Sequence, residues 1–145
     1  MSNKNYLAQF AKSFNWAGFF LPKNVYHDCS KLYSFCRVLD DLVDEKNNLK
    51  LRIERFSEIK TIFNKTYELY ESDRKVLDQN EYALIVNNMI VLAKNNNIKR
   101  IILDDLIEGV GSDLKQKVYL RSVKDLLVYS YRVAGTVGLM MAKIL

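Results

Sequence analysis

Residues 32–45 read LYSFCRVLDDLVDE. On a helix, at about 100° per residue, Tyr33, Arg37, Asp40 and Asp44 fall within an arc of roughly 60°. They form one polar stripe. Leu32, Phe35, Cys36, Val38, Leu39, Leu42 and Val43 occupy nearly every other direction. A helix that is apolar nearly all round is a buried one. Ionised groups on such a helix must be paired, bound to metal or turned toward a wet cavity. The stretch therefore predicts an all-α helical bundle around a central cavity, with the stripe lining that cavity.

The stripe has a chemistry of its own. Carboxylates at i and i+4, as at Asp40 and Asp44, stand about 6 Å apart along the axis on the same side. Each can give an oxygen to a hard cation. Magnesium keeps several waters and takes one or two carboxylates together with substrate phosphates, which suits this pair; manganese is the alternative ion. Asp41 lies some 80–100° round the helix and can help through a water. Arg37 supplies a charge-assisted donor for phosphate oxygens, and Tyr33 offers a hydroxyl to the same cavity. The bland alternative is that Arg37 merely pairs with Asp40 and Asp41 on a solvated face.

Outward from this stretch the chain reads as helices separated by short polar breaks. Residues 4–20 carry apolar and aromatic positions at helical spacing, among them Tyr6, Leu7, Phe10 and Phe14. Pro22 sits near the start of the second helix, which runs to about Asp44 and is ended by Lys46–Asn47–Asn48. Leu51, Ile53, Phe56, Ile59, Ile62, Phe63 and Tyr67 mark a third. A fourth spans about Asn80–Lys94, stopped by Asn95–Asn96–Asn97, and a fifth covers Lys99–Lys115. The sixth begins near Ser122 and runs to the last residue. It is mostly apolar, but Arg132 in its middle makes a buried bundle helix a better reading than a membrane span. It stops on Ile144–Leu145 with no glycine, asparagine or polar tail, so the chain looks cut. Residues 1–145 form a single domain, with no internal repeat and no linker.

Composition narrows the function classes. The 145 residues are 49% hydrophobic and 27% charged, the balance of a globular protein. Two cysteines are no disulfide framework, and the N-terminus has no apolar core for a signal peptide, so a cytoplasmic protein is expected. The net charge of +5 is scattered, without a basic stripe or zinc-finger spacing, so no nucleic-acid partner is expected. A basic surface also suits a diphosphate substrate or transient peripheral contact with anionic membrane. Cys29, Cys36 and His27 read as packing residues rather than a zinc site.

SFNWAGFFLP at 13–22, followed by LYSFCRVLDDLVDE, resembles the N-terminal part of the squalene and phytoene synthases, the head-to-head prenyl synthases. The match continues through LIEGVGSDL at 106–114 and YSYRVAGTVGLMMAKIL at 129–145, in the family's order and spacing. The overall look is most similar to phytoene synthase. The resemblance implies an isoprenoid-synthase-type bundle in which two prenyl diphosphates bind through magnesium held by two aspartate-rich motifs. By position, Asp40 and Asp44, with Asp41 beside them, resemble the metal carboxylates of the first motif. Arg37 and Tyr33 resemble diphosphate-side residues, and Ser13 and Phe14 the opening of the site. Asp113 matches the acid of the middle block and Tyr129 the tyrosine heading the next helix, while Val133, Val137 and Gly138 would line the prenyl pocket.

The implied reaction is ionisation of one diphosphate and attack on the allylic cation by the second substrate. It passes through a cyclopropyl diphosphate, with geranylgeranyl diphosphate the expected substrate. A squalene, presqualene or dehydrosqualene synthase using farnesyl diphosphate shares these motifs, and a non-catalytic lipid-binding or assembly relative is the rival class. Retention of Asp40, Asp44, Arg37 and Asp113 speaks against the last. The sequence departs from the family at Phe10 and Ala11, where relatives often carry polar residues, and it ends before the second aspartate-rich motif. Taken alone, the chain is expected to be inactive. It should self-associate or pair with a chain carrying that motif, and leave apolar faces bare on the second helix and at Leu139–Met140–Met141. Ala134, Gly138 and Ala142 recur every four residues, a small-residue stripe open to a prenyl chain or to another helix.

Overall fold

The computed structural model describes residues 16, 18–44, 48–72, 81–114 and 120–145. Most of the first expected helix, with Ser13 and Phe14, lies outside the described residues. The described chain is helical throughout, without strands: α1 (Lys23–Asp44), α2 (Leu49–Glu71), α3 (Glu81–Asn95) and α4 (Arg100–Gly111). A single 3₁₀ turn (Ser112–Leu114) closes α4. Then come α5 (Val123–Ser130), a π-helical segment (Tyr131–Gly135) and α6 (Thr136–Ile144), which follow one another without a break.

The boundaries have local causes. The Pro22 carbonyl accepts from Tyr26 N–H at 2.9 Å and opens α1. Asn48 caps α2 by accepting from Lys50 N–H at 3.0 Å. Ser122 caps α5 through Asp125 N–H at 3.1 Å, and the Asp125 carboxylate accepts in return from Arg121 N–H at 3.1 Å. At the end of α3, Asn97 takes a left-handed backbone with φ 52°. There Ile98 N–H reaches the Ala93 carbonyl at 2.8 Å, the signature of a Schellman stop, and asparagine tolerates that conformation.

Helix α1 is the hub, packing against α2, α3, α4 and α6. Its buried residues are Cys29, Leu32, Phe35, Val38, Leu39, Leu42 and Val43, which form one face rather than a whole cylinder. Asp40 and Asp44 are exposed. The expectation of a helix buried all round is thus corrected: the polar stripe borders an open side of the bundle. Phe35 stacks toward Phe63 of α2 with ring centroids 6.4 Å apart, and Phe63 toward Tyr67 at 5.8 Å. Arg52 ties the two helices at the other end by donating from Nη1 to the Val43 carbonyl.

The last helical run also departs from expectation. It is not a buried bundle helix, for α5 has no buried residue and only Thr136, Met140 and Ile144 are buried in α6. The bare apolar surface is therefore not on α1, which is covered. It is on Trp16, Phe19 and Phe20 ahead of α1, on α5 at Val123, Leu126, Leu127 and Val128, and on Leu139. Met140 is fully buried and Met141 packs against the core. Among the described residues no helix is long and apolar enough to cross a membrane.

Phe35 is fully buried at the meeting of α1 and α2. Phe35→Ala should lower stability by about 3–5 kcal/mol, measured by urea unfolding, because it removes a large apolar side chain and leaves a cavity. A loss below about 1 kcal/mol would mean that this contact does not organise the core.

Candidate active site

Three elements supply the polar groups. Helix α1 carries Tyr33, Arg37, Asp40, Asp41 and Asp44, the 3₁₀ turn carries Asp113, and α5 carries Tyr129. The turn forms because α4 ends at Gly111 and the Ser112 hydroxyl donates back to the Gly109 carbonyl at 2.6 Å. The tightened backbone brings Asp113 to α5. There the Tyr129 hydroxyl is shared between both oxygens of Asp113, at 3.0 and 3.1 Å.

The electrostatics join this pair to α1. Burial lifts the Asp40 carboxyl above its ordinary value, although the residue keeps contact with water; the charge of Asp44 is the next cause. Arg37 works in the opposite sense, while Asp41 and Asp113 add further upward pushes. The Tyr129 phenol is raised as well, first by burial, then by its bond to Asp113 and by the charges of Asp113, Asp40 and Asp44. Groups that shift one another in this way share one electrostatic neighbourhood. The Asp40–Asp44 stripe and the Asp113–Tyr129 pair, remote from each other in sequence, feel each other's charge.

Other predicted residues stand differently. Arg37 Nη2 meets Asp41 Oδ1 at 2.8 Å, so the bland pairing is realised with Asp41. Both side chains are a little over a third exposed, so the pair orients Arg37 more than it stabilises the fold. Among the described residues no three histidine, cysteine, aspartate or glutamate side chains form a ready metal centre, so Asp40, Asp41 and Asp44 do not converge as a trio. Tyr33 is half-buried one turn before Arg37. Val137 packs against the core and the Val133 Cγ1 comes within 3.2 Å of a Cβ placed on Gly109, so both have packing roles. Gly138 is exposed, and a Cβ built on it meets nothing within 4 Å. Among the described residues no helix uses that small-residue stripe.

The donor chemistry fits a divalent cation. Asp40 sits among three other carboxylates that each raise its proton affinity, and Arg37 is the one group opposing them. Asp40 and Asp44, one helical turn apart, can each give one oxygen to a hard cation. Cys36 is no competitor, since burial pushes its thiol up to about 12, and Cys29 faces Met141 across 3.5 Å of sulfur contact.

Sequence reasoning missed the contact that joins α4 to the last helical run. A Cβ on Gly109 would lie 2.6 Å from Arg132 Cβ and 3.1 Å from the Arg132 carbonyl carbon. Arg132 also reaches Glu108 at 3.2 Å and Asp105 at 3.9 Å. The available signal was a glycine inside a helical pattern, which marks a close approach.

Comparison with known proteins places these residues in context. The squalene/phytoene synthase family profile matches residues 7–145. A bifunctional lycopene cyclase/phytoene synthase of Pyrenophora tritici-repentis is 31% identical over 140 residues, covering 94% of this chain and 24% of that protein. A 4,4'-diapophytoene synthase of Staphylococcus haemolyticus is 28% identical, covering 96% of this chain and 45% of its own length. A 15-cis-phytoene synthase of a Paracoccus species is 29% identical, with 96% and 44% covered. The chain spans less than half the length of each of these relatives.

The raised Asp40 carboxyl has a pH consequence. Ionising it is harder in the fold than in the unfolded chain. Its penalty is therefore absent below the ordinary carboxylate range, grows as pH rises through the raised value, and is complete above it. Asp40→Asn should melt at a higher temperature than the parent at about pH 7, and the gap should close near about pH 3. An equal gap at both pH values would show that packing, not charge, is responsible.

Proposed function

The chain belongs to the squalene/phytoene synthase family, and we propose that the whole protein is a prenyltransferase of the phytoene synthase type. In this reading it condenses two prenyl diphosphates head-to-head, through a cyclopropyl diphosphate, with loss of diphosphate. The observation that carries it is the Tyr129 hydroxyl held on both oxygens of Asp113, a pair that feels the charges of Asp40 and Asp44. Relatives named phytoene synthase support the geranylgeranyl substrate. The 4,4'-diapophytoene synthase match supports a second reading, in which a shorter, farnesyl-type chain is used.

Within that reading the residues divide their work. Asp40 and Asp44 would hold magnesium, or manganese in its place, each by one oxygen. Magnesium, when bound, neutralises the diphosphate and so makes it a competent leaving group. Arg37, steadied by Asp41, donates to phosphate oxygens, and Tyr33 stands beside it as a further donor. Tyr129 directs its hydroxyl through Asp113 toward the same region. Val133, Val137 and Gly138 lie along the run that would flank the prenyl tail, and the resemblance assigns Ser13 and Phe14 to the opening of the site. An allylic cation survives only where water is excluded. The bare apolar surface of α5 supports a partner in this fold: a chain segment carrying the second aspartate-rich motif, or a second copy of this chain. Peripheral contact with a membrane would present the prenyl substrate to that surface.

Ligand binding tests the metal role first. Magnesium with diphosphate at a hundred times Kd should stabilise the chain by about 2.7 kcal/mol. Asp40→Asn and Asp44→Asn should abolish that gain while keeping the fold. Equal protection by diphosphate in EDTA would remove the metal from the account.

The second test concerns completeness. The 145 residues alone should yield no condensation product from prenyl diphosphates, and co-expression with a chain carrying the second carboxylate cluster should restore turnover. Turnover by the isolated monomer would overturn the need for a second cluster.

A further inference from the structure

The contact between α4 and the π-helical segment lies about one helical turn from the Asp113–Tyr129 pair along both helical runs. Gly109 on α4 precedes Asp113 on the 3₁₀ turn by four residues, and Arg132 on the π-helical segment follows Tyr129 on α5 by three. The two contacts are successive rungs between two continuous helical runs, α4 with its 3₁₀ turn and α5 with the π-helical segment. At the Gly109 rung the backbones approach so closely that a Cβ would meet Arg132 Cβ at 2.6 Å and its carbonyl carbon at 3.1 Å. Neither atom is the far end of a flexible side chain, so any larger residue must move the helix. The Gly109 carbonyl also accepts the Ser112 hydroxyl that sets the 3₁₀ turn carrying Asp113.

The stretch leading up to and just past Tyr129 is held at this rung, and the run is anchored in the core again only from Thr136 onward. Residues 123–128 are exposed, and the π-helical segment has no buried residue. Arg132 spans the rung from the other side, with Nη1 at 3.2 Å from Glu108 and Nε at 3.9 Å from Asp105. A π turn widens the helix locally and is found disproportionately at functional sites. Here it falls at the point of closest approach.

From this geometry we infer that Gly109 and Arg132 are positioning residues: together they set the distance and register at which Tyr129 meets Asp113. They touch no substrate in this account and act through that hydrogen bond. The inference rests on the proposed function only in giving Tyr129 and Asp113 a role at the diphosphate site.

The test reads the hydrogen bond itself. The chain is labelled with 3-fluorotyrosine, and the Tyr129 fluorine resonance is identified by its loss in Tyr129→Phe. Asp113→Ala marks the position of a released phenol. Gly109→Ala should move the resonance most of the way to that position, and Arg132→Met should move it part of the way. Arg132→Lys, which keeps the charge, should return it toward the parent. A Tyr129 resonance unmoved in Gly109→Ala, whatever its melting temperature, would overturn the inference. If Gly109→Ala does not fold, Arg132→Glu decides: the signal should shift, and adding Glu108→Arg should bring it back. No shift in Arg132→Glu would be equally fatal. Failure of the functional reading looks different, as absent magnesium–diphosphate protection in a chain whose fluorine signals behave as expected.

Discussion

The contact of Leu32, Phe35, Leu39 and Leu42 on α1 with the helices around it is what the rest of the structure leans on. Each such side chain, fully buried, contributes about 1.5–3 kcal/mol relative to exposure. That stripe fixes α1 about its own axis. Once the apolar face is committed to α2, α3, α4 and α6, Asp40 and Asp44 have no freedom to turn inward. The carboxylates are positioned by what lies behind them.

Burial on one side of the helix permits strain on the other. The charge of Asp44 and the pushes from Asp41 and Asp113 make ionised Asp40 unfavourable, with Arg37 as the opposing influence. A domain that optimised stability alone would spread these groups apart, and crowding of this kind is common where carboxylates serve a function. Tyr129 belongs to the same arrangement. It spends its proton on Asp113, and the three acidic neighbours make that proton harder to lose.

Much of this was legible in the sequence because it depends on local rules. The Asn95–Asn97 stop became a Schellman motif with Asn97 in the left-handed region, and Ser122 capped α5 as its type suggests. The polar stripe of α1 follows from helical spacing, and the block LIEGVGSDL carried Asp113 to it. What was not legible depends on register between elements remote in sequence. Nothing in the residues of α5 announces the π turn, or that Arg132 would sit on Gly109. The exposure of α5 was missed for a related reason: an apolar helix is buried only if something lies against it, and composition does not say what does. Likewise Asp41 pairs with Arg37 within its own helix, a competition that spacing alone leaves open.

The electrostatics also order the events at the proposed site. Asp40, Asp44 and Asp113 together present negative charge where an anionic diphosphate would have to lie. The scattered positive charge that gives the chain its net +5 can draw an anion to the surface, but it does not neutralise this rim. Arg37 offers one guanidinium, already engaged with Asp41. The acidic rim therefore repels the head group of its proposed substrate until countercharge is supplied. Beside it, Val128 and Tyr131 flank Tyr129 with exposed apolar surface. The substrate of the proposed function would meet this surface with an anionic head accompanied by a divalent cation and a tail that prefers to leave water. Binding of diphosphate without the cation measures the repulsion; binding with it measures the site.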